Sequence, residues 1–238
     1  MACTSGHLEI AKWLIKNGAE VDSRDNQRST PLSCACAVED NSAIVKLLLE
    51  KGAEVDARNK YGTTPFFIAC DQSNLEIAKL LVSHGCDLIS RDNQGLTVLH
   101  EACKFDNSEI AKFLIQNCQI DGRMKAFVIN AIDNNGRTPL HLVSSKGYVG
   151  IAKMLIGCDE IRINPKDHNA WTPLHDACLS GHLEVVQVLL NGGVDTTAQA
   201  RMSTFAPMDV TPLDLASRNS HFDVVWLMVS RCPWLVTG

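Results

Sequence analysis

The sequence predicts an all-α fold, a solenoid of helix-turn-helix units joined by β-hairpin-like turns, whose core is a line rather than a ball. Three observations predict it. A Thr-Pro-Leu triplet recurs along the chain, an apolar run follows each triplet, and Gly, Asn and Asp punctuate the stretches between them.

The triplet stands as Thr30-Pro31-Leu32, Thr64-Pro65-Phe66, Thr97-Val98-Leu99, Thr138-Pro139-Leu140, Thr172-Pro173-Leu174 and Thr211-Pro212-Leu213, at spacings of 34, 33, 41, 34 and 39 residues. A period of about 33 with two insertions accounts for all five spacings. Each triplet predicts a first helix. The Thr hydroxyl caps the first turn, and Pro just inside the start gives up no needed hydrogen bond.

The apolar runs predict the second helices: Ile10–Ile15, Ile44–Leu49, Ile77–Val82, Ile110–Ile115, Ile151–Ile156, Val185–Leu190 and Val224–Val229. Their third position reads Lys12, Lys46, Lys79, Lys112, Lys153, Gln187 and Trp226. A polar position inside an apolar run marks the solvent side of a buried helix, so the lysines read as a solvated outer face rather than a site for an acidic partner. Gly18, Gly52, Gly85 and Gly193 end second helices, where a left-handed residue is wanted. The turns before each Thr read Asn59-Lys60-Tyr61-Gly62, Asp92-Asn93-Gln94-Gly95 and Asp133-Asn134-Asn135-Gly136, the residue types that tight turns select. Arg28 and Ala170 replace the turn glycine, which predicts a departure from that geometry at two tips.

These residues resemble an ankyrin-repeat array. The motif is nearly whole in Thr172-Pro173-Leu174-His175-Asp176-Ala177-Cys178 with Gly181-His182, and the resemblance covers nearly the whole chain. It implies two short antiparallel helices per repeat, with partners bound on the concave face made by the turns and first helices. The chain divides into about seven repeats: 1–24 (partial), 25–58, 59–91, 92–132 and 167–208 (each with an insertion), 133–166, and 209–238 (terminal). Ala2-Cys3 and Gly6-His7 match the middle of a repeat whose turn is absent, which points to a fragment or to a fraying first repeat.

Composition narrows the function. With 238 residues and a formal net charge of −5, the chain lacks the basic surplus of a nucleic-acid binder. No stretch approaches a membrane span, and no signal peptide opens the chain, so the expectation is an intracellular protein of the cytoplasm or nucleus. Of the 10 cysteines, Cys3, Cys36, Cys70, Cys103 and Cys178 follow Ala in one register, with Ser144 and Ser217 equivalent. That register reads as close packing by reduced thiols, since neighbouring repeats about 8–10 Å apart exceed disulfide reach. Cys34 and Cys36 alone are too few for zinc. His100, His141 and His175 form one repeating register, and His7, His182 and His221 another. A residue that recurs once per repeat serves the repeat, by hydrogen bonds between turns and helices. No nucleophile, phosphate loop or metal motif stands out, so neither enzyme activity, a cofactor nor a metal is expected.

Function belongs where the repeats differ, at turn tips and on the exposed side of first helices. Those registers give Tyr61, Asp71, Gln72, Leu96, Lys104, Phe105, Arg137, Lys146, His168, Trp171 and Leu179 as candidate partner-binding residues, with Glu101 and Asp176 beside them. Tyr61, Phe105 and Trp171 are the aromatic candidates for hot spots. The insertions, 119–132 with Arg123-Met124-Lys125-Ala126-Phe127 and 200–209 with Arg201-Met202-Ser203-Thr204-Phe205, read as loop growth on the hairpin side, or as two fingers that clamp a partner. The apolar end, Trp226 and Trp234-Leu235-Val236, reads as a cap or a docking surface. The chain is thus expected to be a monomeric scaffold for a protein partner. The alternative is the targeting segment of a larger protein, such as a ubiquitin-ligase adaptor, a channel or a membrane–cytoskeleton linker.

Overall fold

The computed structural model describes residues 2–117, 122–201 and 209–235, the side chains of 122–124 excepted. Among them are fourteen helices: α1 (Leu8–Lys16), α2 (Pro31–Cys36), α3 (Ser42–Glu50), α4 (Pro65–Asp71), α5 (Leu75–Ser83), α6 (Val98–Lys104), α7 (Ser108–Asn117), α8 (Gly122–Ile129), α9 (Pro139–Lys146), α10 (Val149–Ile156), α11 (Pro173–Ser180), α12 (Leu183–Asn191), α13 (Pro212–Arg218) and α14 (Phe222–Arg231). Two short strands, β1 (Ala200–Arg201) and β2 (Asp209–Val210), pair antiparallel, and a 3-10 turn spans Pro233–Leu235. The chain forms two compact units, Met1–Ala102 and Cys103–Gly238, with the division inside α6.

In the first unit, α2 and α4 pack side by side, α2 against α3 and α4 against α5, while α3 also meets α1 and α5. Thr30 and Thr64 sit in extended backbone, and their hydroxyls accept the backbone N–H groups of Ser33 and Phe67, both at 3.2 Å. Pro31 and Pro65 fill the first helical position, where no intrahelical bond is lost. The core is the apolar stripe: Leu32, Ile44, Val45, Leu48, Phe66, Ile77 and Leu81. Lys46 and Lys79 are exposed between buried or half-buried neighbours, as their spacing predicts, whereas in α1 Ile10, Trp13 and Leu14 are exposed together with Lys12 and only Ala11 is buried.

The second unit repeats the plan with α9, α11 and α13 as first helices and α7, α10, α12 and α14 as second helices. Thr211 closes its cap reciprocally with Asp214, so an aspartate does here what a histidine does in the two repeats before it. Cys103 and Cys178 are buried in the core. All nine described cysteines are free thiols, Cys118 lying outside the described residues.

The first insertion is not a finger. Residues 122–129 form α8, which packs on α7 and buries Val128 and Ile129. Immediately after it, Asn130 Oδ1 accepts the Arg162 N–H at 2.7 Å and Asn130 Nδ2 donates to the Glu160 carbonyl at 2.8 Å. The same rung appears where Asp22, Asp56 and Asn164 accept the N–H groups of Glu54, Asp87 and Asp195. The extra residues are therefore absorbed before the rung, on the second-helix side, and the tip that follows has ordinary length. Burial of two apolar side chains favours this over a solvated loop. The second insertion does open as a ribbon, through β1 and β2, but Met202 to Phe205 lie outside the described residues.

Arg28 and Ala170 take φ of 61° and 63° and keep the turn. The expected departure does not occur; the strain is carried by the residue. At the end of the chain the 3-10 turn packs on α14, yet Trp226 stays 73% exposed and Phe222 and Trp234 are exposed beside it.

Candidate interaction surface

Each described hairpin tip is built by one side chain. Oδ1 of Asp25, Asn59, Asp92, Asp133 and Asp167 accepts the N–H groups two and four residues on, at 2.8–3.1 Å. Such bonds form the turn from within and leave the intervening side chains pointing outward. Within each unit consecutive tips also join through the backbone: Lys60 N–H to Gln27, Asn93 N–H to Tyr61, His168 N–H to Asn135 and Arg201 N–H to Asn169.

The histidines bolt the tips to the first helices. Nδ1 of His141 accepts the Thr138 N–H at 3.0 Å, so the ring proton sits on Nε2, which donates to the Trp171 carbonyl at 3.0 Å. His175 repeats this with the Thr172 N–H and the Val210 carbonyl. Burial holds both rings neutral, pushing His141 down to about 4 and His175 in the same direction. Nε2 of His182 and of His221 bonds the carbonyls of Ser145 and Leu179, on the first helix of the preceding repeat. The hydrogen-bonding role read for the histidines is seen at His100, His141 and His175 in one register and at His182 and His221 in the other.

The candidate residues then fall as follows. In the first unit Tyr61 is 57% exposed beneath the Lys60 ammonium, 4.9 Å from its ring centre, and Asp71 and Gln72 are exposed at the end of α4, bonded to each other. Leu96 is a correction: it is 7% exposed and packs in the core, because it follows the turn glycine and points inward. In the second unit Phe105 is exposed with Lys104 over its ring at 4.8 Å. Lys146 and His168 are exposed, while Arg137, Trp171 and Leu179 are half-buried. Trp171 lies against the His175 ring, 5.8 Å between centres, and its indole N–H donates to the Arg201 carbonyl at 3.0 Å. That tryptophan is therefore in part a packing residue that steadies the base of the β1–β2 ribbon.

The second unit also places Arg137, on a tip, 3.6 Å from Asp176 Oδ2 on α11. That oxygen is buried without a hydrogen-bond partner, and burial outweighs the pull of Arg137 to push the carboxyl up to about 7. Its register was legible in the sequence; its missing partner was not, since that depends on an arginine 39 positions away. Among the described residues no three His, Cys, Asp or Glu side chains gather as a metal set, and no helix is long and apolar enough to cross a membrane.

The family described as Ankyrin repeats (3 copies) matches residues 1–59, 36–126, 122–200 and 161–233. The chain belongs to the ankyrin-repeat family. The human ASB11 ankyrin repeat domain is similar at 25% identity, with a TM-score of 0.74 over 97% of this chain and 95% of that one. An ankyrin repeat domain from Acinetobacter baumannii AYE is similar at 27% identity, TM-score 0.72, over 82% and 97%. No curated protein matches. Ankyrin repeats are in general protein–protein interaction modules.

Proposed function

We propose that this ankyrin array is a binding scaffold for a protein partner, which docks on the hairpin tips and exposed first-helix positions. One observation carries the reading. The tips are fixed by repeating Asp, Asn and His bonds, whereas Tyr61 on a tip and Phe105 just after the first helix α6 differ from their counterparts in other repeats and stay exposed. Within each unit, hydrogen-bonded turns that carry an exposed aromatic side chain suit recognition, because part of the ordering cost is already met before the partner arrives. Arg and aromatic side chains are also over-represented among binding hot spots. Under this reading the chain catalyses nothing and needs no cofactor.

The test is quantitative affinity capture with the folded chain and a Tyr61→Ala, Phe105→Ala, Trp171→Ala variant whose circular dichroism matches. A protein retained by the wild type and lost from the variant supports the reading. Equal retention of every captured protein rejects it for these tips.

A second reading, the recognition segment of a larger protein, is favoured by one observation: both structural neighbours are described as domains and align over nearly their full length. A native-size blot longer than this chain supports it.

A further inference from the structure

The first unit holds a cleft of about 420 Å³ beside α1, lined in part by Cys3, Leu14, Ala19 and Val21 and by Pro31 and Cys34 of α2. The neighbouring repeats show what such a place holds. Residues 2–7 close as the end of a first helix does: the His7 N–H donates to the Ala2 carbonyl at 3.1 Å, as Asn74 does to Ala69, His182 to Ala177 and His221 to Ala216. Asn41 Nδ2 fixes this turn by donating to the Cys3 carbonyl at 2.8 Å. Yet no described residue stands before it where Thr30, Pro31 and Leu32 stand in the next repeat. The walls are open accordingly. Leu14 is 39% exposed and Ala19 is exposed too, whereas their counterparts Leu48 and Ala53, in the repeat whose α3 packs on α2, are buried. Pro31 is half-buried, whereas Pro65, Pro139, Pro173 and Pro212 are buried.

The cleft thus continues, by one place, the packing that sets α4 beside α2. That packing also specifies the occupant. It is a helix start whose Thr caps, whose Pro enters the first turn and whose next side chain is fully buried, as Leu32 and Phe66 are. Removing a leucine side chain from water supplies the attraction. A second folded copy offers no such leucine, because Leu32, Leu99, Leu140 and Leu174 are all spent in its own core. We propose that this cleft is a receptor site for a Thr-Pro-Leu helix start of a partner protein, with the leucine seated against Leu14, Ala19 and Pro31. The site does not include Tyr61, and it stands or falls apart from the reading of the tips.

The probe is the peptide acetyl-Ser-Thr-Pro-Leu-Ser-Ala-Ala-Ala-amide, titrated to millimolar concentration into the isotope-labelled full chain and followed by two-dimensional NMR. The control peptide carries alanine in place of the leucine. A saturable shift centred on the backbone signals of Leu14, Ala19 and Cys34, weakened about tenfold or more in the control, supports the site. Ala19→Phe fills the cleft and Leu14→Glu puts a charge on its wall, so each should weaken binding about tenfold or more, while Tyr61→Ala leaves it unchanged. Both positions are exposed, so the variants fold, and matching spectra elsewhere check this. Equal binding of the two peptides, no saturable shift, or undiminished binding by either variant overturns the proposal. So does a dimer of the peptide-free chain that Ala19→Phe dissociates in sedimentation equilibrium, which assigns the cleft to a second copy.

Discussion

His141 shows how much one side chain settles at the residue scale. It caps α9 through Nδ1 and ties down the next tip through Nε2, and both bonds require the neutral ring. Its folded pKa of about 4 lies below the unfolded value, so the unfolded chain binds more protons in between. Its contribution to stability is complete above about pH 6.5 and fades as pH falls towards 4. Asp176 has the opposite sign: with a folded value near 7, its burial is least costly in acid, and stability drains away as pH rises from about 4 through 7. Between pH 7.5 and 5 the Asp176 trend opposes that of His141 and of His175, whose ring is shifted the same way. Asp176→Asn uncovers the histidine, and urea midpoints of that variant are expected to lose about 2 kcal/mol over this interval. A variant that tracks the wild type across the range contradicts the assignment. The turn residue Ala170 makes a second case. At φ 63° it bears a strain of about 1–2 kcal/mol, partly offset by the greater freedom glycine has when unfolded. Ala170→Gly should therefore stabilise by about 0.5–1 kcal/mol in thermal melts. Gly181→Ala should do the reverse, by about 2 kcal/mol or more: φ is +71°, and a Cβ would lie 2.4 Å from the His221 ring.

At the scale of elements, α8 separates insertion from decoration. Ile129 is fully buried, so Ile129→Ala should cost about 2–4 kcal/mol in chemical denaturation. Phe127 on the same helix is 67% exposed, and Phe127→Ser should stay within about 0.5 kcal/mol. Asn130→Ala should cost about 1–3 kcal/mol, since it strands the Arg162 N–H and the Glu160 carbonyl. A free loop would show neither the Ile129 nor the Asn130 effect. The signal for a helix was present in Ala126-Phe127-Val128-Ile129, but four residues are too short a run to separate helix from loop growth without their packing partner on α7.

For the whole molecule, the thiols report how evenly the repeat register is kept. Cys36, Cys70, Cys103 and Cys178 are buried and Cys3 and Cys34 are half-exposed, and loss of solvent pushes all six thiols up. A thiol reagent applied to the native chain should modify Cys3 and Cys34 within minutes and spare those four until denaturant is added. Mass mapping after brief labelling checks it; early modification of Cys103 or Cys178 would show that the register is looser than its burial implies.

The sequence by itself determined the repeat, the helix pairs, the capping threonines, the solvent stripe and the buried thiol register. All of these are periodic, and a period is visible wherever local chemistry repeats. Tertiary structure decided what depends on a neighbour. It put Leu96 in the core where Ser29, Thr63, Arg137 and Trp171 of the same register are half-buried, turned one insertion into a helix, made Trp171 the prop of a ribbon, and left an Asp176 oxygen without a hydrogen-bond partner. The physical reason is the same in each case: burial and hydrogen-bond satisfaction are set by what packs against a residue, and in a repeat array that neighbour lies some thirty or forty positions away.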